Sequence, residues 1–165
     1  MHAILALDDR ARADLVLLLD RAAVFGDGTV RLAADGDVAL LTTPMTASAG
    51  LLDTGPTVLI ARAARMREPA RFDGVVALPA LRDALKQGAD IEVPDAVGRP
   101  AWAAVSPPRG GWAHTGDVEV ALVRELATQA AALVAMRFLG DEPVRVTESG
   151  GWTRAAGRAG EVLTR

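Results

Sequence analysis

The chain has 165 residues, of which 50% are hydrophobic, and its formal net charge at pH 7 is −3. This length suits one domain with its own core, and the hydrophobic fraction is well above that of disordered chains. Because there is no Cys, disulfides, thiolate metal sites and cysteine nucleophiles are excluded. Acidic and basic residues are interspersed without a basic stripe, which argues against nucleic-acid binding.

The N-terminus does not read as a signal peptide, because its basic residues follow the first apolar run and Asp8 and Asp9 interrupt it. No apolar run approaches the roughly 18 uncharged residues that a membrane-spanning helix needs. We therefore expect a cytoplasmic protein that does not enter a membrane.

The first predicted elements are a helix and a hairpin. Apolar residues recur at helical spacing between Arg10 and Val24, and a carboxylate just before this stretch can cap the first turn. On both sides of Asp35-Gly36, residues of strand type recur at every second position: Val30, Leu32 and Ala34 before it, and Val38, Leu40 and Thr42 after it. That dipeptide is typical of a tight primed turn, so the pattern predicts a β-hairpin.

The middle of the chain predicts a strand, a loop, a helix and two further strands. Residues 57–63 are apolar and β-branched, and the charged stretch that follows contains Pro69, which favours a loop. Pro79 suits the first turn of a helix, where its missing N–H costs nothing. Residues 90–94 and 100–106 are then expected to be strands.

The C-terminal third predicts one long helix from Asp117 to Phe138, whose second half is apolar nearly all round. This half is either the centre of the domain or the contact surface of a homodimer. The small residues that suit a close approach are Ala127, Ala130, Ala131 and Ala135. A last strand is expected over 143–148, and residues 155–165 are expected to be a loosely held tail.

The order of these elements predicts a single α+β domain over residues 1–165. In this fold a mainly antiparallel sheet built from hairpins packs against the N-terminal helix and one long C-terminal helix. The helix–strand–strand–strand–helix order resembles one unit of a processivity clamp. No sequence motif accompanies that order, and the neutral-to-acidic charge and the short length argue against a clamp.

Two of the three tryptophans follow a glycine pair, in Gly110-Gly111-Trp112 and Gly150-Gly151-Trp152. Glycine pairs allow sharp bends, so each indole can fold back over the end of a strand and seal the core. Alternatively, both indoles line a ligand cleft or belong to a protein-binding surface. The candidate ligand-binding residues in the cleft interpretation are Arg109, Trp112, His114, Glu148, Trp152 and Arg154.

No catalytic or metal-binding motif accompanies these residues, and we expect no cofactor. His114 could serve as an acid–base group near neutral pH, but it has no nucleophile or second His at metal spacing. We therefore expect a non-catalytic interaction or regulatory protein that self-associates. The alternative is a small-molecule-binding protein or enzyme with a cleft near Trp112 and Trp152, in which Arg109 holds an anion and His114 or Glu148 moves a proton.

Overall fold

The computed structural model describes residues 3–46, 57–104, 106–118, 139, 142–158 and 160–165. Of these residues, 53% lie in strands and 22% in helices. The strands are β1 (Ile4–Ala6), β2 (Thr29–Thr46), β3 (Val58–Ala77), β4 (Asp90–Glu92), β5 (Ala113–Val118), β6 (Val144–Ser149), β7 (Trp152–Gly157) and β8 (Gly160–Thr164). The helices are α1 (Asp9–Ala22), α2 (Leu78–Gln87) and α3 (Ala101–Ala104).

Six strands form one antiparallel sheet in the order β2-β3-β8-β7-β6-β5, and β1 pairs with β4 in a small second sheet. The long strands β2 and β3 are paired from Thr29↔Ala77 to Thr46↔Val58. Strand β8 lies between β3 and β7, where Glu161 is opposite both Ala61 and Ala156. The C-terminal strand therefore joins the β2–β3 hairpin to the β5–β6–β7 part of the sheet.

Helices α1 and α2 cover the main core. The Asp8 side chain accepts a hydrogen bond from the Ala11 N–H at 2.7 Å and caps α1, and α2 carries Pro79 in its first turn. Their apolar sides pack on buried residues of β2 and β3, such as Leu32 and Ile60. A second, smaller core contains Leu59, Ala61, Val75, Trp102, Ala103, Trp152 and Leu163.

The predicted α+β fold with a long C-terminal helix is wrong, because the described part of the chain is predominantly β. Asp117 and Val118, expected to begin that helix, lie in β5 and pair with β6. An acid before an apolar run suits a strand as well as a helix start, and the pairing decides between them. The rest of the expected helix, residues 119–138, lies outside the described residues, as do Ala127, Ala130, Ala131 and Ala135.

The predicted hairpin at Asp35-Gly36 is also wrong. Residues 29–46 form one continuous strand, and the register with β3 shifts between Gly36 and Val38. Gly36 has φ +68°, so it occupies the left-handed region at a β-bulge rather than in a turn. A bulge glycine and a primed-turn glycine have the same local requirement, which explains the error.

Three other segments differ from expectation. Residues 101–104, predicted to be a strand, form the short helix α3. The charged stretch around Pro69, predicted to be a loop, belongs to β3. Residues 66–69 of this stretch have no paired residue on β2. Residues 155–165, expected to be a loosely held tail, contribute to β7 and β8.

Within the ranges given above, no helix is both long and apolar enough to span a bilayer.

Replacing Gly36 with Ala tests the positive φ of this residue. No atom lies within 4 Å of a Cβ built there, so the cost is that of the positive φ alone, roughly 1–2 kcal/mol. Gly88→Ala is the matched control, because Gly88 has open space and an extended backbone with φ −172°. Urea unfolding should show the loss for Gly36→Ala only, and equal stabilities of the two variants would contradict the left-handed backbone conformation of Gly36.

Candidate ligand-binding cleft

A cleft of about 700 Å³ opens on the side of the sheet that carries the smaller core. Strands β2, β3, β7 and β8 contribute its floor, and α3 and the segment 106–112 supply further lining residues. From β2 these include Arg31, Ala33, Asp35, Val38, Leu40 and Thr42. These residues are two positions apart within each half of β2, but Asp35 and Val38, on either side of the bulge, are three positions apart. The bulge therefore lets the same face of both halves point toward the cleft.

Arg31 connects the floor of the cleft to the segment 106–112. Its Nε and Nη2 each donate to a carboxylate oxygen of Asp73 at 2.8 Å. Its Nη1 donates to Ser106 Oγ at 2.5 Å and to the Ala103 carbonyl at 3.4 Å. This bidentate pair with two further acceptors is a geometry that arginine, but not lysine, can satisfy.

The electrostatics around Asp73 are dominated by cations. The hydrogen bond from Arg31 is the main reason why the pKa of Asp73 lies below its ordinary value; burial opposes this, and the positive charges of Arg31, Arg99 and Arg109 lower the pKa further. The same hydrogen bond raises the pKa of Arg31. Three guanidinium groups therefore act on one carboxylate, which leaves this end of the cleft positive.

The first glycine pair lies in the segment that borders the cleft. Gly111 has φ +74°, and the bend lets the Trp112 Nε1–H donate to the Pro108 carbonyl at 3.1 Å. The indole of Trp112 is half-buried against the smaller core. The Arg154 guanidinium carbon lies 4.7 Å from the centre of the Trp112 ring, within the range of a cation–π contact.

The second glycine pair is a hairpin turn. Ser149 and Trp152 are the last paired residues of β6 and β7, and Gly150 and Gly151 between them have φ +54° and +77°. Positive φ at both central residues is typical of a type I′ turn. Trp152 directly after the turn is 3% exposed and lies in the smaller core.

The two Gly-Gly-Trp segments meet. Ser149 Oγ donates to the Gly110 carbonyl at 3.2 Å, and a Cβ built at Gly150 would lie 3.3 Å from Pro108 Cγ. Trp112 and Trp152 also belong to the same apolar cluster. The segment 106–112 is therefore held against the β6–β7 turn as well as against Arg31.

The six residues selected from the sequence occupy three kinds of position. Arg109, Trp112 and Arg154 line the cleft, whereas Trp152 packs in the core beneath it. His114 and Glu148 do not line it: both are exposed, and His114 Nε2 lies 3.1 Å from Asp117 Oδ1. His114 and Glu148, which were expected to move a proton, are therefore not in the same cleft as Arg109, which was expected to bind the anion.

Several cleft residues were missed from the sequence. Arg31 and Asp73 lie at alternating polar positions of strands, and Glu161 was assigned to the tail. Trp102, placed in a strand by its neighbours, is buried and donates its Nε1–H to Asp27 Oδ2 at 2.9 Å. The alternation of β2 was the available signal, but only the pairing of β3 with β2 on one side and with β8 on the other brings these groups together.

The charged lining is partly neutralised within the cleft. Arg31 pairs with Asp73, and Arg71 lies 3.4 Å from Asp35 in a pair that is mostly exposed and therefore weak. The remaining charged groups are Arg109, Arg154 and Glu161. Across the described ranges, no three His, Asp or Glu residues converge as a metal site would require.

Alanine substitutions should separate the two tryptophans. Trp152→Ala empties a filled core position and should cost about 3–5 kcal/mol of unfolding free energy. Trp112→Ala should cost less than half as much, because its ring is only half-buried and less apolar surface returns to water, although the contacts with Arg154 and the Pro108 carbonyl are also lost. Urea unfolding followed by circular dichroism measures both, and equal losses would contradict the assignment of Trp112 to the cleft.

No curated protein matches the chain. Among solved structures, the chain is similar to the beta sliding clamp of C. crescentus, with a TM-score of 0.56 and 12% sequence identity. The match covers 100% of this chain and 65% of the clamp chain, and at that identity it shows a shared fold alone. A family model described as a domain of unknown function (DUF8010) matches residues 1–104. The chain belongs to this DUF8010 family.

Proposed function

We propose that this chain is a binding domain whose cleft takes an organic anion with an apolar body. The observation that carries the proposal is a cleft of about 700 Å³ that is lined by Arg109, Trp112 and Arg154, with the Arg154 guanidinium over the Trp112 ring. That volume lies within the range of ligand pockets, which combine apolar walls with a few convergent polar groups.

The anion would be received by Arg109. Its guanidinium has no hydrogen bond or ion pair with any described residue, and the residue is exposed. Arg31 and Asp73 nearby form a bidentate pair, so Asp73 acts on Arg109 only through its charge and leaves the N–H groups of Arg109 available. A carboxylate, sulfonate or phosphate can form two parallel hydrogen bonds with such a free guanidinium.

The apolar body would lie on the half of the cleft formed around Leu40. Val38 and Leu40 are 45% and 40% exposed although they lie within a sheet. Leu59, Ala61 and Leu163 line the cleft beside them. An exposed aliphatic surface that borders a cationic end favours an amphiphilic ligand over inorganic phosphate.

Self-association remains a separate proposal, because the alanines expected to mediate it lie outside the described residues. Light scattering of the purified chain tests self-association directly.

The cytoplasmic location is likewise a proposal, supported by the absence of Cys.

The experiment for the cleft uses 8-anilinonaphthalene-1-sulfonate, an organic anion with an apolar body. It should bind at one site per chain, and Arg109→Gln should weaken binding roughly tenfold, equivalent to about 1.4 kcal/mol. Arg145→Gln is the matched control, since Arg145 is exposed, carries the same charge and does not line the cleft. No saturable binding, or equal weakening by both substitutions, would refute the proposal.

A further inference from the structure

We infer that Glu161 receives a cationic nitrogen of the ligand, so that the cleft is built for a zwitterion such as a short apolar peptide. This inference rests on the proposed anion-binding function and specifies the class of ligand. It derives from the arrangement of charges on β7 and β8.

Glu161 differs from the other acids of the cleft. The Asp73 carboxylate pairs with Arg31, and Asp35 lies beside Arg71. Glu161 is half-buried and has no hydrogen bond or ion pair with any residue of the described ranges. Removing a carboxylate from water without a compensating partner is unfavourable, so a ligand that brings a cation to it gains that interaction.

Arg154, on the neighbouring strand β7, makes its contacts with residues other than Glu161. Arg154 is opposite Leu163 and Glu161 is opposite Ala156, so Arg154 and Glu161 are diagonal neighbours, about 7–8 Å apart between Cα atoms. Long side chains can bridge that separation. The Arg154 guanidinium instead lies over the Trp112 ring, and its Nε donates to Thr147 Oγ1 at 3.2 Å.

Two opposite charges that could neutralise each other are therefore kept apart on the same floor. A ligand with adjacent anionic and cationic groups can satisfy both, with its carboxylate toward Arg154 and Arg109 and its ammonium toward Glu161. The ammonium group offers three donors, which suits a carboxylate without other partners. Leu40 and Leu163 line the same cleft and provide an apolar surface for aliphatic side chains.

The test compares three forms of one dipeptide by calorimetry on the full chain at pH 7: Leu-Leu, N-acetyl-Leu-Leu and Leu-Leu amide. Acetylation removes the cation and amidation removes the anion, while both leucine side chains stay. Leu-Leu should bind roughly tenfold more tightly than either derivative. Glu161→Gln should abolish the advantage of Leu-Leu over N-acetyl-Leu-Leu and leave the affinity for N-acetyl-Leu-Leu unchanged.

Glu68→Gln is the matched control, because Glu68 is an exposed glutamate on β3 outside the cleft, and it should preserve the advantage. Equal affinities for Leu-Leu and its acetyl form, no binding of any dipeptide, or the same effect of both glutamate substitutions would overturn the inference. Saturable, Arg109-dependent binding of 8-anilinonaphthalene-1-sulfonate would in that case still support the proposed function. Failure of that binding as well would refute the function itself.

Discussion

The cleft depends on the hydrogen bonds of one guanidinium group, that of Arg31. This guanidinium, on β2, donates hydrogen bonds to Asp73 on β3, to the Ala103 carbonyl in α3 and to Ser106 Oγ. Because Ser106 begins the segment that carries Arg109 and Trp112, this one side chain fixes the segment relative to the sheet. The contact of Ser149 with Gly110 holds the same segment from the other side.

The same tripeptide, Gly-Gly-Trp, serves two different purposes in this fold. After the type I′ turn, Trp152 enters β7 with its ring in the smaller core. After the first glycine pair, Trp112 precedes β5 and has only part of its ring on that core, with Arg154 over its face. The buried ring supports the floor of the cleft, and the half-buried ring borders it. The sealing and lining interpretations of the motif therefore each describe one copy.

The sequence predicted α1, α2 and β6 because capping, proline position and apolar spacing are local properties of the chain. It could not separate a bulge at Gly36 from a turn, since both require positive φ. It selected Arg109, Trp112 and Arg154 but missed Arg31, because a charged residue in an alternating strand is expected to face solvent until its neighbours are known. It missed Glu161 because residues 155–165 were expected to be a loosely held tail. The net charge and the length of the chain argued against a clamp, but they concern what the protein does. The similarity to the sliding clamp is a similarity of fold alone.

The most direct measurement is the response of the three indole N–H signals in a proton–nitrogen correlation spectrum as 8-anilinonaphthalene-1-sulfonate is added, with Trp112→Phe providing the assignment. Trp112 and Trp102 both line the cleft, but Trp102 and Trp152 are buried, whereas the Trp112 ring is half-exposed. We expect a saturable shift of the Trp112 signal that clearly exceeds the shifts of the other two. An unmoved Trp112 signal at saturation, or equal shifts of all three, would contradict the proposed binding cleft.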